Sequence, residues 1–452
     1  MRISSLALFG LLLVALPADP SNPVRAEDAP KYLLDEPLDD LRVFGVGFRV
    51  DVNGKLSTLD AENQPQSLDL AVAASISYRE RRVVGPGRDA EALRTVRDYE
   101  VSNSEISVGG TKTPGLKLPD ALKLTVAQGR SFGVEIYSLG GPMTASEMDL
   151  VRVPCDSLLL PRLLPGREVA EGETWHPESW VFQALTSLDA ATTSQCTCKL
   201  DKVTDGVAKI SVEGEIEGAV EGATSKVTLK GTLDYRLDQR SIVAWDFTQS
   251  ENRSIGVVSP GLEVSARIRA LRGVAKAPGR LGDSKVVDQA TAELPQASSL
   301  VRFDSPWNLT ILHARDWHLF HQNDKVAIFR LLDQGTFVAQ CNLAPIPSAP
   351  PGGHTSEKEF EADIRRSLGD KLKTLETPAR VETRDGRYVC RAVATGAVEG
   401  RPITWIYYFC ADPSGRQVSL LFSCDTALVE RLGTHDRELV DSLKFTPSAV
   451  RP

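Results

Sequence analysis

Between Lys226 and Leu237 apolar and polar residues alternate without a break: Val227, Leu229, Gly231, Leu233, Tyr235 and Leu237 are separated by Thr228, Lys230, Thr232, Asp234 and Arg236. A period of two puts one set on each face of an extended chain, so this stretch reads as a long strand with one buried and one wet face. Turn signals flank the same pattern. Asp238-Gln239-Arg240 leads into Val243, Trp245 and Phe247, the expected hairpin partner, and Asp205-Gly206 separates Cys196-Thr197-Cys198-Lys199-Leu200 from Ile210-Ser211-Val212. Further strands are expected over 43–52, 68–83, 93–108 and 122–139, with a short helix from about Ser146. Tyr78 followed by Asp98-Tyr99 is echoed by Tyr235 followed by Asp246-Phe247, which leaves an internal duplication open. Residues 30–273 are therefore expected to form a mainly antiparallel β-domain, as one large curved sheet or as two stacked halves.

The first residues are a different object. Arg2 precedes an apolar run from Ile3 to Leu16, and Val24-Arg25-Ala26 offers small residues where a signal peptidase reads. Residues 1–26 are expected to be a cleaved signal peptide, so the mature chain is expected to be extracytoplasmic, in the periplasm or secreted. The remaining sequence has no run long enough to span a bilayer as a helix. With 52 Lys and Arg against 60 Asp and Glu the chain is acidic, and no basic stripe is interleaved with aromatics, which argues against nucleic acid as a partner.

Seven cysteines, Cys155, Cys196, Cys198, Cys341, Cys390, Cys410 and Cys424, leave at least one thiol without an intrachain partner. Cys196 and Cys198 fall on one strand face beside Leu200, which suits packing. Cys390 and Cys410 flank a hairpin with its tip near Glu399-Gly400-Arg401. A three-residue loop would set them opposite each other and allow a disulfide; a two-residue loop would set Cys390 opposite Phe409.

Periodicity dissolves over 274–297, which is expected to be a linker. Residues 298–447 then mix strands and helices. Ser356-Glu357-Lys358-Glu359 is a capping box for a helix carrying Phe360, Ile364, Leu368 and Leu372; Asp425 can cap a last helix carrying Leu428, Leu432, Leu439 and Leu443. Ile403–Cys410 is apolar on both faces, as a central strand covered on two sides would be. Arg315-Asp316-Trp317 before the first strands, Glu359-Phe360 in the helix, Gly386-Arg387-Tyr388, Gly396 and Gly400 at the hairpin, and Ser442-Leu443 with Phe445 together resemble the PsbP-like family, which includes DcrB-type envelope proteins. That resemblance implies an α+β sandwich, an antiparallel sheet flanked by helices, acting as a non-catalytic accessory or binding domain. Residues 32–272, with Leu160-Pro161 and Gly172-Glu173-Thr174-Trp175, are similar to uncharacterised secreted bacterial proteins.

Several stretches carry the residue types of catalytic or metal sites without the pattern such sites need. Gly129-Arg130-Ser131-Phe132-Gly133 has the letters of a nucleophile elbow, but the β-branched alternation from Val134 to Leu139 follows where a helix is required, so Ser131 is expected in a β-turn. His313, His318 and His321 lie close in sequence; in a regular strand His318 and His321 point to opposite faces, so the expectation is surface histidines at strand edges rather than a metal site. His435 is expected to pack on the apolar stripe of the last helix. Glu213, Glu215 and Glu217 share one wet strand face rather than a calcium loop. No catalytic, cofactor-binding or metal residue is therefore assigned, and no cofactor is implied. The expectation is a non-enzymatic exported binding or assembly protein of the bacterial envelope with an unknown protein or hydrophobic ligand as partner. The alternative is a periplasmic carrier holding a lipid or other hydrophobic ligand in the N-terminal β-domain.

Overall fold

Residues 30–59, 64–83, 89–292, 299–383 and 385–447 are described by the structure, a computed structural model; the expected signal peptide lies outside them. The chain is β-rich, and its strands pair antiparallel in several sheets. Two successive meanders build the largest sheet. Val43–Leu59, Pro65–Arg82, Arg94–Val108, Leu124–Arg130 and Gly133–Ser138 form the first. Thr174–Trp175, Ala190–Thr204, Val207–Val220, Ala223–Arg236, Ser241–Arg253 and Gly261–Val274 form the second. The last strand of the second pairs with the first strand of the first, from Gly261 opposite Ser57 to Val274 opposite Phe44. One continuous curved sheet results, rather than two stacked halves.

That sheet curls until its two ends meet one helix. Ser179–Thr186 packs on Gly133–Ser138 at one end and on Ala190–Thr204 near the other. Phe182 on this helix lies over Gly214, where a Cβ would come within 2.5 Å of its ring, so the close approach needs glycine. The inward positions of the strands, among them Val46, Phe48, Ile76, Leu229 and Phe247, join a single buried core with Leu159, Leu163, Phe182 and Leu185 from residues 139–188. Strands alone cannot fill the inside of so wide a sheet, and this inserted segment fills it. Each large apolar side chain buried there contributes about 1.5–3 kcal/mol. The opposite face is wet: Lys226 pairs with Glu215 and Glu217, and Lys230 with Glu213, as the alternation predicts.

Part of the expected 274–297 linker is packed structure. Asp283 caps a helix over Ser284–Thr291, and Leu281 and Ala290 are fully buried against Val83, Val96, Val126 and Tyr137. Eight residues give barely two turns, too few to display a helical period.

Beyond it lies a second sheet with the order Trp317–Gln322, Ala327–Asp333, Thr336–Ile346, Gln417–Asp425, Arg401–Ala411, Tyr388–Val398 and Leu372–Leu375. Arg401–Ala411 is central and covered twice, as expected. Trp405, Tyr407 and Phe409 pack under the Glu357–Leu368 helix, while Ile406, Tyr408 and Cys410 pack with Leu432, Leu439 and Val440. The last helix is not continuous: Gly433, at φ +55°, separates Val429–Leu432 from His435–Ser442. Val301–Asp304, Leu309–His313 and Lys444–Phe445 make a small third sheet.

The hairpin between Cys390 and Cys410 turns on two residues, Glu399 and Gly400, so Cys390 faces Phe409 and Val389 faces Cys410. The two thiols enter different cores on opposite faces of the sheet, and all seven cysteines are free and buried. No disulfide forms between this pair.

Candidate functional site

The densest polar chemistry lies inside the curled sheet. Glu36 follows the Lys31–Leu34 strand; Glu80 and Arg82 point inward from Pro65–Arg82, Arg97 from Arg94–Val108 and Arg272 from Gly261–Val274; Asp156 and Ser157 belong to the inserted segment. All are buried. Arg272 bridges two acids, donating from Nη1 to Glu36 at 2.7 Å and from Nε to Glu80 at 2.9 Å. Arg82 also pairs with Glu36. Arg97 makes a two-pronged contact with Asp156, one prong at 2.8 Å, and Ser157 Oγ donates to Glu80 at 2.7 Å. The remaining carboxylate lone pairs are not idle: Glu36 accepts the Ile242 N–H at 2.8 Å and Asp156 the Leu158 N–H at 2.9 Å.

Three guanidinium groups thus face three carboxylates with no net charge, the condition under which buried ions persist. Burial works against the Arg97 charge, but Asp156 and the surrounding tyrosines hold its pKa well above the ordinary value. Burial pushes the Tyr99 phenol up to about 12 and the Tyr78 phenol up as well. Each acid is fully engaged and sealed from solvent, so the cluster pins the insert to the sheet and offers no free acid, base or nucleophile to a substrate.

Accessible concavities lie on the wet face instead. A groove of about 620 Å³ crosses five strands and is lined by Gly47, Arg49, Thr232, Ala244, Asp246 and Arg269 among others. Arg269 is held to Asp51 at 2.9 Å and Arg267 to Asp246 at 2.9 Å, while Leu271 stands 71% exposed at the groove. A second hollow of about 450 Å³, lined by Asp51, Ala71, Ala73 and Glu105, adjoins it.

The candidates raised by the sequence scatter. Ser131 sits with Phe132 in a two-residue turn between Leu124–Arg130 and Gly133–Ser138, exposed and without the strand-to-helix geometry of a nucleophile elbow. His313 is not a surface histidine: it is buried, edge-on to Phe329, with Nδ1 2.8 Å from the Ala314 carbonyl oxygen. A bulge between Leu319 and His321 sets His318 opposite Arg330 and His321 opposite Ile328, so these two share a face, contrary to the regular-strand expectation. They still do not converge, because His318 meets Glu221 and His321 meets Asn323. His435 is half-buried and 3.7 Å from Asp316. Cys196 and Cys198 are buried on one face with Leu200. Among the described residues no group of three or more His, Cys, Asp and Glu side chains is placed to hold a metal ion.

The buried ion network was missed by sequence reasoning. Its trace is nevertheless present: Glu80 and Arg82 continue the inward parity of Ile76 and Tyr78, and Arg272 that of Ile268 and Ala270. Charges at core-facing positions are the signal for such a cluster.

No family model matches the chain, and no curated protein matches it. Among solved structures, a Bacteroides thetaiotaomicron protein aligns over 33% of this chain and 50% of its own, at 11% identity and a TM-score of 0.25; the chain thus spans half the length of that protein. OmpT of Vibrio cholerae with loop L8 deleted, an outer membrane protein, aligns over 85% of this chain and 98% of its own, at 9% identity and a TM-score of 0.13. Pseudomonas aeruginosa OccK11 aligns over 87% and 97%, at 8% and 0.13. Scores this low carry no argument about fold or function. Among the described residues no helix is long and apolar enough to cross a membrane.

Proposed function

We propose that this is a non-enzymatic, exported binding or assembly protein of the bacterial cell envelope, and that the groove on the wet face of the large sheet is its binding face. The observation carrying this reading is where the space lies. The inside of the curled sheet is occupied by residues 139–188 and a charge-neutral ion network, whereas the groove at Arg49, Asp246, Arg269 and Leu271 is open to a partner. A preformed concave face with fixed charges of both signs and one protruding leucine suits a partner that brings apolar and charged groups together. Export rests on residues 1–26. For residues 298–447 the PsbP-like reading draws support from a central strand covered by helices on both faces.

Cross-linking in intact cells tests the binding face. A partner cross-linked through Lys209 at the groove supports it, and loss of that product in Leu271→Glu would localise it further. Cross-links that map elsewhere and survive Leu271→Glu contradict it, and turnover in a broad hydrolase screen would overturn the non-enzymatic reading.

A hydrophobic-ligand carrier is the second reading. What favours it is the far end of the inward face, where Val52, Leu56, Leu70, Val72, Ile106 and Val264 are only half-buried. The filled interior weighs against it.

A further inference from the structure

The registers of the large sheet fix which outward side chains stand side by side in the groove. Leu271 lies between Ala244 and Gly47 on the neighbouring strands, and a Cβ added to Gly47 would meet nothing within 4 Å. In the next row along the strands Thr232, Asp246, Arg269 and Arg49 stand abreast; in the row beyond, Lys230, Thr248, Arg267 and Asp51 do so. Arg269 donates from Nη2 to Asp51 at 2.9 Å, and Arg267 donates from Nη2 to Asp246 at 2.9 Å. These charges are therefore held in set positions on a rigid sheet rather than carried on loose side chains.

On the reading that this groove is the binding face, we propose that its occupant is a second copy of the chain. The two copies are related by a two-fold axis running along the strands, between Ser241–Arg253 and Gly261–Val274. Such a contact is isologous, and each of these two strands lies over its neighbour from the other copy. Leu271 then faces Ala244 of the other copy, and Arg269 faces its Asp246. One strand further out, Asp51 faces Lys230 of the other copy. The remaining charges in these rows meet neutral groups: Arg267 faces Thr248, Arg49 faces Thr232, and Asp234 faces Gly47. Two opposite-charge pairs are thus each made twice, and no like charges oppose each other.

The complementarity is specific to that axis. Moved one strand over, between Gly261–Val274 and Val43–Leu59, a two-fold would set Arg269 against Arg49. Four strands about 4.8 Å apart, and four rows about 6.8 Å apart from Leu271 to Ser265, give a footprint on the order of 500 Å². That is the low end for a specific interface, so the dimer is expected in the micromolar range.

Sedimentation velocity of the purified chain over a concentration series reads this directly. Arg269→Glu and Asp246→Arg should each weaken the wild-type dimer at least about tenfold, since each sets like charges against each other twice. Mixed one to one, the two variants should recover the wild-type affinity as a heterodimer, because each reversed charge then meets its opposite. Recovery on mixing also shows that both variants fold. A wild type that stays monomeric up to about 100 µM, a dimer indifferent to both reversals, or variants that do not recover on mixing would overturn the second copy as occupant. Cross-linking in cells separates that failure from failure of the binding face. A monomer that still captures a different protein through Lys209 loses the second copy and keeps the groove, whereas products that all map away from Lys209 remove both.

Discussion

The two large sheets solve the problem of a covered apolar face in opposite ways. In the second, Arg401–Ala411 places large side chains on both sides, and helices close each face, so packing is almost entirely apolar. Asp436 is a buried exception, accepting the Tyr408 hydroxyl at 2.8 Å beside Arg391. The first sheet has one inward face and curls around a segment of its own chain. Because apolar contact is non-directional, hydrophobic matching alone does not fix how that segment sits. Arg97, holding Asp156 with two hydrogen bonds, and Glu80, accepting from Ser157, supply direction. A wide interior filled by an insert thus carries a polar register pin, while a sandwich between helices needs little of one.

The largest expected effect breaks that pin. Arg97→Met leaves Asp156 and Glu80 buried with less compensating charge and should cost about 3–5 kcal/mol in urea unfolding. A loss below about 1 kcal/mol would mean that the insert is held by apolar packing alone and the contrast between the sheets is empty. Tyr408→Phe is the matching lesion in the second sheet. It removes a single neutral donor while Arg391 stays near Asp436, so a smaller cost of about 1–3 kcal/mol is expected from the same unfolding curves. An equal or greater cost than Arg97→Met would reverse the comparison.

How far these features could be read beforehand depends on whether a pattern repeats. Alternation such as Val227 to Leu237 disclosed the strands, because every second residue restates the same instruction. The closure of the large sheet was hidden, since no local signal says that Gly261–Val274 returns to Val43–Leu59. The insert is aperiodic, its partners Glu80 and Arg97 sit on different strands, and Arg272, which bridges Glu80 to Glu36, is far from both in sequence, so the ion network emerges only when three strands and a loop are assembled. At Cys390 and Cys410 both loop lengths were legible; the two-residue turn decided between them. At His318 and His321 a single bulged residue reversed the facing that a regular strand dictates. The proposed binding groove had no legible trace, because its lining is drawn from five strands rather than from any one motif.

The smallest effects sharpen the contrast by showing what does not matter. Ser131→Ala alters an exposed turn and should change stability by less than about 0.5 kcal/mol, with no labelling by a fluorophosphonate probe in the parent protein. Labelling of Ser131 would require a nucleophile that its turn does not explain. Reduction of the protein should leave its intact mass unchanged, since all seven thiols are free; a rise equivalent to two hydrogens would place a disulfide inside one of these cores.

The central claim is that the large sheet encloses its own chain and meets its partner on the outside. Native mass spectrometry of the protein purified from its own cells tests this most directly. The account predicts the bare mass of the chain, or that chain with a protein partner. A co-purifying lipid-sized mass, retained by wild type, would contradict it and return the inward face of the large sheet to the role of a carrier site.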